Sequence, residues 1–431
     1  MKASVPAVLL EPRRLVRRLR EDPILRNSAV YLAGSLLAGL FGYVFHFETG
    51  RLLGPSGYAV VAAAIAALYL LTLPVVILQL VAARFTSLAV GAGTPATIRP
   101  LLLRLSGLSL LVSSPFLLLL VVLAPAVATF LKISDDRLVY LLALAAAATL
   151  LVTVNRGALQ GLRRFFALSG NALLDTGSRL VFAGLFIAAG FGSLGAFGAV
   201  MLGPAIAYLQ SLYLLRRLSS GSGIVAQRVD GLGSYALLAA AAGVGVNYLF
   251  TADTLLAKHY LSADSAGIYA ASSVLARVVY FLGLTISGVM FPEVATLHAR
   301  NEAHFHVVDL SLLLIGLIGV TLIVLYAAFP ALVLLPYGAT FAPVTPYLGA
   351  FAVALTMLAL ANLLINYFLS IARARFVAPL LAACLLETLL IAAFHSSIWQ
   401  ILSMVLISLA ILSGAMALLY ARDRFGGVAR A

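Results

Sequence analysis

The sequence predicts an all-α polytopic membrane protein, with twelve transmembrane helices in two six-helix bundles forming a parallel pseudo-repeat and both termini cytoplasmic. Three observations carry that prediction. Of 431 residues, 63% are hydrophobic and 10% charged, and mean hydropathy is +1.10; a soluble domain carries about a quarter charged residues. Basic residues alternate from one loop to the next. The chain also matches itself at an offset of 210–211 residues.

A helix needs about 20 apolar residues to cross the hydrocarbon layer. Runs of that kind, divided at Gly, Pro and Ser clusters, place helices near 27–51, 56–88, 101–130, 138–160, 167–190, 194–215, 233–259, 265–292, 308–334, 345–370, 376–394 and 398–420. The implied organisation is a basic cytoplasmic segment 1–26, an N-terminal bundle 27–217, a cytoplasmic linker 218–232, a C-terminal bundle 233–421 and a cytoplasmic tail 422–431. Residues 1–26 lack a short apolar core followed by a small-residue cleavage site, so the first helix is expected to stay uncleaved.

Direction follows from charge. With the N-terminus inside, 22 of the 28 Lys and Arg residues fall in cytoplasmic segments, Arg156, Arg163 and Arg164 among them. Only Arg51, Lys132, Arg137 and Lys258 fall outside, while Arg179 and Arg277 lie within helices. This is the positive-inside pattern, and it absorbs most of the net charge of +13. No hydrophilic stretch is long enough to fold as a basic domain, so no nucleic-acid partner is expected. The single Cys384 excludes an internal disulfide.

In the self-match, Pro125–Phe130 overlies Pro336–Phe341, and Asn155, Arg164 and Phe165 overlie Asn366, Arg375 and Phe376. Gly57 falls on Gly267, with Tyr58 and Tyr269 nearby. Six helices per copy is an even number, so the copies share one orientation. Their relating axis then runs along the membrane normal, and a central cavity is expected between them.

The segment Ala252-Asp-Thr-Leu-Leu-Ala-Lys-His-Tyr-Leu-Ser-Ala-Asp-Ser-Ala-Gly-Ile-Tyr-Ala270 resembles a recurring stretch of the polysaccharide transporter (oligosaccharide/O-antigen flippase) family. In that family an Asp near the end of helix seven precedes a short outer loop and a Gly-x-Tyr that opens helix eight. Arg51–Tyr58 looks like the first-half counterpart. Gly157–Phe165 followed by Asn171, and Phe291-Pro-Glu-Val-Ala295, resemble two further boundaries of the family. The family belongs to the multidrug/oligosaccharidyl-lipid/polysaccharide exporter superfamily. The resemblance implies a multi-pass inner (plasma) membrane flippase that moves an undecaprenyl-diphosphate-linked oligosaccharide from the cytoplasmic to the outer leaflet. The two extra C-terminal helices of the related lipid II flippases are missing.

Ionisable residues inside a bilayer are costly and usually face a cavity or a partner. Arg277 has no acidic residue within a turn, and its planar fork suits a diphosphate; the alternative is a pair with an acid on another helix, such as Asp253 or Glu387. Arg84 near the inner end of helix two and Arg51 at the outer end of helix one are further candidate cavity cations. For these the bland readings are snorkelling of Arg84 and an i,i+3 pair of Arg51 with Glu48. Asp253, Glu387 and Asp175 are candidate ion- or proton-coupling residues, although Asp175 stands four before Arg179 and suits a structural pair. Asn155, Asn247, Asn366, Gln160 and Gln210 suit either sugar hydroxyls or interhelical hydrogen bonds, the latter favoured. Gly157-x-x-x-Gly161 permits close helix packing.

His304 and His306 lie two apart on different helix faces, so no metal site is expected. No nucleotide loop, zinc motif or nucleophile elbow is evident, and neither a cofactor nor enzymatic activity is expected. The leading expectation is a monomer that exchanges a lipid-linked oligosaccharide across the membrane, surrounded by membrane lipids and driven by an H+ or Na+ gradient. A cation-coupled drug or metabolite antiporter would need an acidic cavity. A membrane glycosyltransferase or polymerase would need substantial outer loops.

Overall fold

A computed structural model describes residues 23–72, 75–216 and 232–426. The predicted linker, and the N-terminal segment before Pro23, lie outside the described residues. The first helix, α1 (Pro23–Leu71), is two legs joined at Gly54, whose φ of 67° takes it out of helical geometry immediately before Pro55. Glycine at this position avoids the Cβ clash that positive φ imposes. α2 (Val75–Gly91) follows the second leg.

The third span is α3 (Ile98–Val122) followed by the short α4 (Ala124–Phe130). Then come α5 (Arg137–Gly161), α6 (Phe165–Ala188) and α7 (Gly192–Leu215). The second series comprises α8 (Leu232–Tyr260), α9 (Ala263–Ala299) and α10 (Phe305–Ala328), with the short α11 (Pro330–Leu334) after it. A 3₁₀ segment (Ala339–Tyr347) leads into α12 (Leu348–Ser370), followed by α13 (Val377–Ala393) and α14 (Ile398–Gly426). Every expected span has its helix. Nine helices among the described residues are long and apolar enough to cross a membrane, counting the bent α1 as one.

Three boundaries differ for local reasons. The third and ninth spans stop early, at Val122 and Ala328, and each is followed by a short proline-led helix; Pro fits the first helical turn but not the interior. The last helix runs to Gly426 and takes in Arg422–Arg424, which the sequence places in a tail. There Asp423 binds Arg373 (2.6 Å) and Arg375 (2.8 Å), and Arg424 binds Asp309 (2.8 Å).

Helices of residues 23–216 pack chiefly among themselves, as do those of 232–426. The two sets meet mainly through α1, which touches α8, α9 and the 3₁₀ segment. With alternating directions, the described chain begins and ends on one face, called here the terminal face; the opposite face is the far face. Gly157 and Gly161 serve packing within the chain. A Cβ at 157 would fall 2.5 Å from the Gln79 carbonyl oxygen, and one at 161 on that of Ala83.

The sets are closed together at the far face. Tyr58, Tyr337, Phe341 and Leu348 share an apolar cluster with Ala270, Ala271 and Leu275. The Lys132 ammonium donates to the carbonyls of Leu261 (3.2 Å) and Tyr260 (3.4 Å), at the electronegative end of α8. The ring of His259 stacks on that of Phe130 at 4.1 Å. Gly267 presses on the backbone at Pro55, and a Cβ there would fall on the Pro55 carbonyl oxygen. Gly267→Ala is therefore expected to part this contact at about 1–3 kcal/mol, the usual cost of overpacking. A lowered thermal midpoint in detergent checks it, and an unchanged midpoint would refute it.

Candidate functional site: a cationic cavity between the two sets

Below the far-face contacts lies a cavity of about 580 Å³ between the first leg of α1, α6 and α9. Its lining extends from His46 and Val274 towards Ser35 and Thr285, nearer the terminal face. Two arginines, Arg179 and Arg277, line it, together with His46, Tyr43 and Thr176. Among the described residues that line it there is no Asp or Glu. The remaining wall is mostly apolar.

Arg277 sits about 20 Å down α9 from its far-face start, at 1.5 Å per residue. It is 6% exposed. Its Nη2 donates to the Phe250 carbonyl at 3.1 Å, and its guanidinium carbon stands 4.4 Å from the centroid of the Phe250 ring. That cation–π contact holds the fork without neutralising it. Arg277 makes no ion pair among the described residues, and its Nε is buried without a partner. Asp253 is near enough for the two charges to act on each other, yet Asp253 accepts its hydrogen bonds from Tyr269 (2.9 Å) and Thr254 (3.2 Å).

Arg179 reaches the cavity from α6. Its Nε donates to Asp175 Oδ1 at 2.7 Å, and Arg156 Nη2 donates to Asp175 Oδ2 at 2.8 Å. One carboxylate thus holds two guanidinium groups, which leaves this network with one net positive charge. Asn171 extends it, accepting from Arg156 Nε at 2.8 Å and donating to Gln210 at 2.8 Å. Arg156, counted among the loop charges by sequence, is instead drawn inward by a buried acid.

The other candidate residues stand elsewhere. Arg84 is exposed on α2 and does not line the cavity; it is a helix-surface residue free to extend to the headgroups. Arg51 is exposed at the far-face end of the first leg, also away from the cavity. Its expected pair with Glu48 is not formed, because Glu48 leans against α6 at Gly184 and leaves Oε2 buried without a partner. Asp175, the third candidate coupling residue, has each of its oxygens bound to an arginine, the arrangement of a structural pair.

Asp253 and Glu387 are buried within the C-terminal set, at 5% and 0% exposure, and neither lines the cavity. Glu387 Oε2 accepts from Ser408 at 3.4 Å, and its Oε1 has no partner. The two carboxylates lie near enough for their charges to interact. Among the amides, Asn155 donates to Ser211 at 2.8 Å and Gln79 to Gln160 at 3.1 Å, so these bind neighbouring helices.

No protein-family model matches the chain, and comparison with curated protein sequences finds no match. Solved structures do resemble it. The inward-facing conformation of a multidrug resistance MATE family transporter of the MOP superfamily has a TM-score of 0.74 at 13% identity, covering 94% of this chain and 99% of that one. The outward-facing conformation of a transporter described in the same terms gives 0.62 at 13% identity, covering 98% and 97%. A MOP superfamily transporter from Pyrococcus furiosus, described as having a binding pocket of reverse polarity, gives 0.56 at 14% identity, covering 96% of each chain. The chain therefore has the twelve-helix fold of the MATE transporters of the MOP superfamily.

Proposed function

We propose that this protein is an alternating-access transporter that flips an anionic, lipid-linked oligosaccharide, with its diphosphate held between Arg277 and Arg179. One observation carries the reading: among the described residues, the cavity between the two sets is lined by two arginines and by no carboxylate. A cationic drug would meet repulsion there, and a diphosphate would meet two planar donors suited to bidentate binding. A fold neighbour described as having a pocket of reverse polarity supports the view that cargo charge follows the pocket, not the fold. The undecaprenyl tail would stay in lipid while the sugars occupy the remaining volume.

The terminal face is the cytoplasmic one on this reading, because the basic loops lie there. The cavity, closed at the far face, is then ready to load from the cytoplasm; the higher similarity to an inward-facing conformation supports that state. Transport requires only that cargo and coupling ion bind the two states unequally. Asp253 and Glu387 are the coupling residues: a cation held there alters the field at Arg277 through Asp253. Arg84 and Arg51 have no part in holding cargo.

The test is reconstitution in vesicles with a polyprenyl-diphosphate-linked saccharide and, separately, an organic cation. Appearance of the saccharide in the opposite leaflet, without cation transport, is the expected result. Cation efflux without saccharide movement would overturn it. Asp253→Asn with Glu387→Gln is expected to remove the response to an imposed H+ or Na+ gradient while diphosphate binding is retained. A response equal to that of the parent protein would remove the coupling assignment.

A further inference from the structure

Within the far-face closure a polar chain lies buried among aromatic rings, apart from the more exposed contacts of Lys132 and His259. Tyr58, in the second leg of α1, and Tyr337, between α11 and the 3₁₀ segment, are each 0% exposed. Their hydroxyls lie 3.3 Å apart, across the interface between the two sets. The Tyr58 hydroxyl is also 3.0 Å from His46 Nδ1. His46 borders the cavity, so the chain runs from the cavity wall to the opposite set of helices. Phe47 and Phe341 stand around it, with ring centroids 5.0 and 4.9 Å from that of Tyr337. Gly50 makes room for that ring, since a Cβ there would meet it at 2.6 Å.

Ring contacts are weakly directional and tolerate sliding. A buried hydroxyl pair does not: once parted, each oxygen must find water or another donor. Among the far-face hydrogen bonds the tyrosine pair is the fully buried one, so it is the contact that water can least replace when the sets part. Proton placement gives His46 its role. If Nδ1 accepts from Tyr58, then Tyr58 accepts from Tyr337. If Nδ1–H donates, the Tyr58 O–H donates to the Tyr337 oxygen. In either arrangement the imidazole fixes where the Tyr58 proton points, and without it only the Tyr337 hydroxyl, 3.3 Å away, orients that proton.

We propose that His46, Tyr58 and Tyr337 form a latch on the far-face gate, with His46 positioning the Tyr58 hydroxyl against Tyr337 so that the hydrogen bond between them holds the gate shut. This goes beyond the flippase reading and does not depend on what the cargo is.

The experiment uses the full chain in vesicles, with Cys384→Ser and Thr176→Cys placing a single thiol in the cavity. A membrane-impermeant maleimide applied from the far side reaches it only when the gate opens, so the labelling rate follows the open population. Tyr58→Phe and Tyr337→Phe keep the rings and remove one hydroxyl each. Losing one neutral hydrogen bond is expected to raise labelling about 2- to 12-fold. The double variant should add little, because both changes delete the same bond. His46→Ala should behave likewise, and His46→Asn, whose amide takes the place of Nδ1, should restore the parent rate. Unchanged labelling in the two phenylalanine variants would overturn the latch. Equal labelling of His46→Asn and His46→Ala would reduce His46 to packing. Both outcomes are read without cargo, so failure here is separate from failure of saccharide transport.

Discussion

Arg277→Ala is expected to cut saccharide flipping and diphosphate binding together by about 10- to 150-fold, the worth of a charge-assisted hydrogen bond. The cavity holds two arginines, and Arg277 is the one with no carboxylate bound to it. Arg179 shares its charge with Asp175 at 2.7 Å. Arg277 rests on a ring face and one carbonyl, neither of which cancels a positive charge. Removing it therefore takes away the guanidinium that no carboxylate holds, and leaves only the net charge of the Arg179 network. Arg277→Lys should recover part of the activity, because a point charge remains while the bidentate fork is lost. Farnesyl diphosphate titrated into the detergent-solubilised protein reads binding without transport. Binding and flipping at parental levels in Arg277→Ala would remove the central site assignment. Size-exclusion behaviour should be unaltered, since the side chain forms no ion pair among the described residues.

How far the sequence reveals this site depends on what each residue has beside it. The helices were legible because apolar runs of crossing length are unambiguous, and the basic loops separated them. Arg277 stood out because no acid lies within a helical turn, a property visible in one dimension. Arg179 was hidden by the same logic: Asp175 four residues earlier made it look spent, and only the fold shows that Arg156 also draws on that carboxylate. Arg156 looked like a loop charge because it lies five residues from the end of α5. Arg84 and Arg51 show the opposite limit. Distance from a helix end gives depth, but the facing direction is set by packing against α5, α6 and the far-face contacts. His46 carried no signal at all, since a lone histidine in an apolar helix has no local partner. Its partner Tyr58 lies twelve residues on, across the break at Gly54.

Asp175→Ala is expected to destabilise the fold by about 3–5 kcal/mol, because it leaves Arg156 and Arg179 without their shared counter-charge. Asp175 is 3% exposed, and the side chains of the two arginines are only 18% and 26% exposed. Cavity water can reach Arg179, but Arg156 is bound to Asn171 and Asp175 between α5 and α6 and loses its counter-charge. Asp175→Asn should be milder: an amide oxygen still accepts one hydrogen bond, although the charge is gone. The same pair of variants separates structure from coupling. A coupling carboxylate would give an Asn variant that folds normally and binds diphosphate but ignores the ion gradient. A structural one gives graded losses of thermal stability, Ala below Asn below parent, with gradient response intact in whatever fraction folds. The geometry favours the second pattern, since each oxygen already accepts from a guanidinium and the carboxylate's charge is shared with two of them. Arg156→Met with Asp175→Asn should recover stability relative to Asp175→Ala, because it removes a stranded charge instead of creating one. If that double variant melts no higher than Asp175→Ala, the three-residue ion network is not what holds α5 to α6.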